Sequence, residues 1–332
     1  MGGLAMIHVL RPGLLTTVQD NGRSGYQHLG VVVGGAADPF AARVANLLVG
    51  NSDGAAVLEM AFSGPRLQFD RATLVAWCGA DFEAKLGDAP LPKNRPVLIP
   101  EGGIVDFPGA RRGAMAWLAI AGGIQEPEVM GSRATDLSAT FGGHEGRKLE
   151  TGDILQTGSP SEWAASMTRL LDGGRQASWS LVPERLGKTN GQGVLRVIRG
   201  PEWDWFTPKA QESFTGTIYA VTKDSNRMGT RLEGAPLALA SPREMVSSAI
   251  QHGVVQVPPS GQPIALGVDR QTLGGYPRIG VVATADAGRL AQLRPGEPVR
   301  FREILPAVAH ALLIERERDL AVAAGHLATP RL

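Results

Sequence analysis

Short apolar runs, closed off by glycine and proline, recur along the chain. Leu67–Phe69 leads into Ala72–Trp77, bounded by Gly79. Val97–Ile99 precedes the turn cluster Pro100-Glu101-Gly102-Gly103, and Ala114–Ile120 stops at Gly122-Gly123. Val194–Arg199 alternates more cleanly and stops at Gly200-Pro201. Runs of this length between turn residues predict β-strands. Helical periodicity is rarer. Asp38-Pro39 reads as an N-cap followed by a first-turn proline, and Phe40, Ala41, Val44, Ala45, Leu47 and Leu48 form an apolar stripe ended by Gly50-Asn51. Ser161–Leu171 and Pro306–Ala324 are two further helical stretches. The pattern predicts a mostly β chain with a few helices.

Length and composition sharpen this. The chain has 332 residues, enough for two domains, with 43 glycines and 23 prolines; glycine far exceeds its usual share of ~7%. A glycine-rich junction over 159–193 suggests one domain over residues 1–175, a second over 176–305 and a C-terminal helical tail over 306–332. A net charge of +1 argues against a nucleic-acid-binding protein. No apolar run reaches the ~20 residues of a membrane helix, and the first fifteen residues lack the layout of an export signal, so the expectation is a cytoplasmic protein. The lone Cys78 lies in an apolar run and reads as core, and the six histidines are scattered without ligand spacing, so no metal site is expected.

Familiar catalytic motifs are missing. Gly187-Lys188-Thr189 lacks the glycine five positions earlier that a P-loop needs, since Val182 stands there. Gly191-Gln192-Gly193 lacks the rest of a dinucleotide fingerprint, and there is no Gly-x-Ser-x-Gly elbow. What stands out instead is a set of polar loops bounded by glycine. The first, 16–26, contains Gln19, Asp20, Arg23 and Tyr26. The second, 225–232, contains Ser225, Arg227 and Arg231, side chains suited to carboxylate or phosphate recognition. The third runs from Gln256 through Asp269, Gln271, Thr272 and Gly275 to Tyr276. The stretch 25–33 also echoes 275–283, with five of nine positions identical. That echo reads either as coincidence in a glycine-rich chain or as two related domains presenting equivalent loops to one cleft.

Several blocks in order carry a family resemblance: Pro12-Gly13-Leu14 with 16–26, Gly30-Val31 through Asp38, Ala45–Asn51, Leu58-Glu59, Ala121–Ile124, Gly131-Ser132-Arg133, 225–232, Gln256-Val257-Pro258, 261–276 and Gln292–Gly296 with Val299-Arg300-Phe301. Over about residues 6–302 the chain resembles the KipA / allophanate hydrolase subunit 2 family, which is biotin-dependent carboxyltransferase-like and includes the C subunit of 5-oxoprolinase. It departs from the usual pattern at Val32, Gly34, Ala37, Ala134 and Leu273, where proline, serine, methionine, serine and threonine are usual. These departures bear on ligand identity more than on fold.

The resemblance implies two cyclophilin-like β-barrel domains related by pseudo-two-fold symmetry. It also implies two partners, a KipI-like chain and a third oxoprolinase component, with a small amide or lactam as substrate. ATP is implied as cofactor, although no ATP site is visible in this chain. Biotin is implied only from another chain, because no Ala-Met-Lys-Met segment occurs here. On this reading Asp20 or Asp269 serves as general base or orienter and Arg23 or Arg227 as anion clamp. Gln19, Tyr26, Ser225, Arg231, Gln256, Gln271, Thr272, Gly275 and Tyr276 would surround the substrate. The resemblance leaves two alternatives: a regulatory protein that antagonises a KipI-type kinase inhibitor, and the carboxyltransferase component of a urea carboxylase/allophanate hydrolase system.

Overall fold

A computed structural model describes residues 4–171, 176–183 and 193–328. They divide into two compact units: 4–23, 34–183 and 320–328 form the first, and 24–33 with 193–319 the second. The expected boundary at 175/176 abuts 172–175, and those residues, like the Gly187-Lys188-Thr189 fragment, lie outside the described set.

The first unit is built from two sheets. One has six strands: β1 (Met6–Arg11), β4 (Arg66–Phe69), β6 (Lys85–Leu86), β7 (Ala89–Pro90), β9 (Ile104–Asp106) and β11 (Ile154–Gln156), in the order β11-β1-β4-β9-β6-β7. The other has five: β2 (Leu15–Gln19), β3 (Val57–Ala61), β5 (Thr73–Phe82), β8 (Val97–Ile99) and β10 (Ala110–Ile120), in the order β2-β3-β10-β5-β8. The core is strand-derived, and Trp77 stands edge-on to Phe82 and Phe107 at ring separations of 6.5 and 5.5 Å. Gly79 does not end its strand, as the sequence suggested. β5 continues to Phe82, with Gly79 at φ +110°, and the register between β5 and β10 shifts between Arg112 and Ala116. A Cβ at Gly79 would lie 2.6 Å from the Met115 carbonyl, so glycine is what lets the strand pass this point.

Helix α1 (Pro39–Leu48) packs on β5 and β10 through its apolar stripe. Its start is as the sequence indicates: Asp38 accepts from the Phe40 and Ala41 amides, both at 3.1 Å, and Pro39 occupies a position whose amide has no helical partner. Helix α2 (Glu162–Leu170) is capped by Ser161 in the same way.

The second unit contains a closed seven-strand barrel. Its strands are β12 (Val194–Arg199), β13 (Tyr219–Val221), β14 (Gly229–Glu233), β16 (Val254–Gln256), β17 (Ile264–Leu266), β19 (Arg278–Val282) and β20 (Pro298–Glu303). They run around the ring as β12-β19-β16-β17-β14-β13-β20, and β20 closes it by pairing in parallel with β12. A two-stranded arm, β15 (Ser248–Ala249) with β18 (Leu273–Gly274), completes the sheet structure. Helix α3 (Pro208–Gly216) contributes Phe214, stacked on Phe301 at 4.5 Å. Helix α4 (Ala287–Leu290) belongs to this unit, and helix α5 (Pro306–His326) begins in it, its residues from 320 on being assigned to the first. Among the described residues the fold is therefore mostly β with five α-helices. The two echoing stretches differ in conformation: 25–33 contains a 3-10 turn at Gln27–Leu29, whereas 275–283 contains β19.

Candidate functional site

In the first unit the polar loop after β2 is held by its own side chains. Asp20 is 8% exposed, and its carboxylate accepts from the Gly22 amide (2.8 Å), the Ser132 hydroxyl (2.6 Å) and the Arg133 amide (2.5 Å). Two loops more than a hundred residues apart are thereby pinned to one carboxylate. Arg23 is 1% exposed; it donates to the Val129 and Ala134 carbonyls and lies over the Phe141 ring at 4.6 Å. Gln19 is wholly buried and donates to Thr17 Oγ1 (3.1 Å) and the Thr135 carbonyl (3.2 Å), while its Oε1 has no partner among the described residues. Nearby, Glu59 accepts from the Trp117 indole (2.8 Å) and the Ala37 amide (2.7 Å). The structure thus makes Gln19, Asp20 and Arg23 one buried polar network joined to the 129–136 segment.

A titratable cluster that sequence reasoning missed lies in the same unit. His144 Nδ1 is 2.8 Å from Glu126 and its Nε2 is 3.5 Å from Asp153, whose carboxylate takes two bonds from Arg147 at 2.8 and 2.9 Å. The Arg147 bonds, the Glu150 amide and the neighbouring positive charges hold the Asp153 carboxyl down at about 2, against the opposing effect of burial. The spacing of four residues spread over 126–153 carried no signal of this grouping.

In the second unit, Tyr26 is half-buried and heads the 3-10 turn, its carbonyl accepting from Leu29 (2.9 Å). The 225–231 loop is a tight turn: Ser225 Oγ accepts from the Arg231 amide (3.0 Å), Asn226 Oδ1 accepts from the Met228 amide (2.9 Å), and the Arg231 side chain is exposed. Arg227 reaches back to Asp269 with two parallel bonds, Nε at 2.7 Å and Nη2 at 3.0 Å. Their main chains also meet, through the Asp269 amide and the Arg227 carbonyl at 3.1 Å. Two residues expected to act separately on a substrate are thus one ion pair, with side chains only 8% and 10% exposed.

Around that pair stand two groups not singled out from the sequence. Arg270 is half-buried and rests on carbonyls, donating to Ile250 (3.4 Å), Gly267 (3.3 Å) and Val268 (3.4 Å). His252 is pushed down to about 4, mainly by burial and then by the Arg270 and Arg227 charges. It is therefore a neutral imidazole at pH 7, able both to donate and to accept. Asp269-Arg270 is a sequence pair, yet nothing in the sequence says which arginine Asp269 chooses.

The arm lies beside these groups. Gln256 is 5% exposed and donates to the Tyr276 carbonyl (3.4 Å), close enough to Gly274 that a Cβ there would strike its amide. Thr272 is half-buried, and its carbonyl takes the Ile250 amide at 3.1 Å. Gln271, Gly275 and Tyr276 are exposed, as is Leu273. A cavity of about 180 Å³ opens beside Ile250 and Val254, with Arg278 on its wall; Arg278 is paired bidentately with Glu202 at 2.6 and 2.7 Å. The second unit therefore offers a polar, partly open surface with cationic and neutral donors, suited to a small anionic or amide-bearing molecule. Among the described residues no group of three or more His, Cys, Asp or Glu side chains is placed to hold a metal ion. No helix among them is long and apolar enough to cross a membrane.

Comparisons with known proteins converge. The family model described as carboxyltransferase domain, subdomain A and B, matches residues 29–303. The chain is 38% identical over 299 residues to the 5-oxoprolinase C subunit of Escherichia coli K12, covering 89% of this chain and 90% of the relative. It is 35% identical over 315 residues to the 5-oxoprolinase C subunit of Haemophilus influenzae, covering 95% and 96%. Among solved structures, urea amidolyase of K. lactis superposes with a TM-score of 0.84 at 28% identity, covering all of this chain but only 21% of that one.

Proposed function

Because the chain belongs to the carboxyltransferase family of subdomains A and B, we propose that it is the C subunit of an ATP-dependent 5-oxoprolinase. In this role it acts with a KipI-like partner and a third component to open the lactam 5-oxoproline to glutamate. The observation that carries the reading is the two-way coverage with the 5-oxoprolinase C subunit, 89% of one chain against 90% of the other. In the net reaction the lactam C–N bond breaks, the hydroxyl of one water joins the carbonyl carbon and a proton joins the nitrogen, while a second water cleaves ATP to ADP and phosphate. This chain's part is to hold the lactam and meet the developing oxyanion with fixed donors. The loops of the second unit supply such donors.

On this reading biotin is carried by another chain, and ATP is implied without a recognisable site among the described residues. The glycine turns of the first unit differ: a Cβ at Gly35 would lie 2.7 Å from the Gly22 amide and one at Gly142 would strike the Ala134 carbonyl, whereas the space beside Gly87, Gly102, Gly131 and Gly152 is open.

The test is reconstitution. Combining the chain with its KipI-like partner and the third component should give ATP-dependent glutamate from 5-oxoproline, lost when any one is omitted. A second reading rests on the urea amidolyase likeness across the whole chain: transfer of a carboxyl group to urea from carboxybiotin held by another chain. If the reconstituted trio leaves 5-oxoproline intact and the chain supports urea carboxylation instead, the first reading gives way to the second.

A further inference from the structure

The arginines of the second unit are unequally engaged. Arg227, Arg278, Arg196 and Arg289 each have a carboxylate within 4.0 Å. Arg270 has none among the described residues, although it is half-buried and burial disfavours its charge. Its compensation comes from three carbonyl dipoles at 3.3 to 3.4 Å, the long end of the hydrogen-bond range, and from the charge of Asp269, which makes no bond to it. A partly desolvated guanidinium with no carboxylate bonded to it is electrostatically incomplete, and an incoming anion would complete it.

The neighbourhood reinforces this. Asp269 is the nearest acid in sequence, but both of its oxygens are occupied by Arg227. With His252 neutral, the group of Arg227, Asp269, Arg270 and His252 carries one net positive charge. Ile250, whose carbonyl takes Arg270 Nε, directly follows the arm strand in which Ala249 pairs with Leu273, 54% exposed. Tyr276, 45% exposed, follows on the same segment. A cationic seat thus sits against an arm that presents apolar and aromatic surface, a combination that matches a small ring bearing a carboxylate.

We infer that Arg270 is the anion anchor of the second unit and takes the carboxylate of the substrate, with Arg227 and Asp269 serving as the pair that fixes its position. The identification of that carboxylate as the one carried by 5-oxoproline rests on the 5-oxoprolinase reading. The anchor itself does not, since any small carboxylate satisfies the same guanidinium.

The full-length chain labelled with ¹⁵N-arginine tests both. The Arg270 Nε signal is assigned by its loss in Arg270→Gln, then followed on titration with acetate, 5-oxoproline and 2-pyrrolidinone, the same lactam without its carboxylate. Acetate and 5-oxoproline should both move the signal and 2-pyrrolidinone should not. Arg270→Gln should weaken 5-oxoproline binding at least tenfold and leave 2-pyrrolidinone unchanged. Arg270→Lys keeps the charge but not the fork, and should retain acetate with an intermediate loss. A signal that follows acetate but ignores 5-oxoproline keeps the anchor and counts against the lactam reading. A wild-type signal that ignores both anions overturns the anchor, whatever the assembled enzyme does to 5-oxoproline.

Discussion

Arg196 and Asp286, ninety positions apart, are locked together inside the second unit. The Arg196 amide and Nε both donate to one oxygen of Asp286, at 2.8 and 2.9 Å, and Nη2 donates to the other at 2.5 Å. Asp286 is fully buried and Arg196 is 4% exposed. Removing one member strands the other charge away from water. Asp286→Ala is therefore expected to destabilise the chain by roughly 3–5 kcal/mol, read from the denaturant midpoint. Replacing both residues with apolar side chains of similar volume should recover much of that loss; a double mutant as unstable as the single would show that the pair is not the cause.

Asp20 lends itself to a narrower test. Its carboxylate accepts three bonds from Gly22, Ser132 and Arg133. Asp20→Asn keeps the shape but turns one acceptor into a donor facing another donor. A loss of about 1–3 kcal/mol is expected. A change below the error of chemical denaturation would show that the loops are joined elsewhere.

His252 gives the fold a measurable acid sensitivity. Its pKa is about 4 in the folded chain, depressed by burial and by Arg270 and Arg227, with Asp269 already committed to Arg227. In the unfolded chain it titrates near its ordinary 6.5. Between those values the unfolded state binds the extra proton, so this contribution to stability is complete above pH 6.5 and declines as pH falls toward 4. The slope is at most ~1.4 kcal/mol per pH unit for one proton. His252→Asn should flatten the stability profile in that window; an unchanged slope would assign it to other groups.

Asp153 acts at lower pH. Held at about 2 rather than 3.8 chiefly by its bonds from Arg147, it contributes stability above pH 3.8 that is lost as pH falls toward 2. Arg147→Gln should raise the Asp153 titration midpoint, followed through its ¹³C carboxyl resonance. A midpoint that stays near 2 would point to the Glu150 amide and His144 as sufficient.

What could be read from the sequence was local. The Asp38 cap, the apolar stripe of α1 and the strand at Val194–Arg199 depend on neighbours a few residues away, and all three stand in the structure. Gly79 was misleading because punctuation by glycine and passage through a bulge look alike until the opposite strand is known. The echo of 25–33 in 275–283 failed as a guide to conformation for a related reason: the second copy is captured by barrel neighbours on both sides, whereas the first forms a 3-10 turn. Among the candidate site residues, residue type was legible but partnership was not. Asp269 could have faced Arg227, Arg270 or solvent, and only the meeting of the 225–231 and 269–276 loops decides. His252 and Arg270 were passed over because their character comes from burial and from one another's field, neither of which has a spacing.

The parallel seam between β12 and β20 sets an order of events during synthesis. Val194 lies opposite Arg300, and Val197 opposite Glu303. β12 must wait for about a hundred more residues to emerge from the ribosome before the ring can close, because its partner in the seam is β20. Until then β12 carries an unfilled hydrogen-bonding edge on a nascent chain. Such late, long-range closure is slow and leaves the intermediate open to strand exchange. Truncation anywhere before residue 303 should therefore leave an open sheet with an adhesive margin, and a chaperone or a partner chain that shields this margin during translation would raise the yield of the closed form.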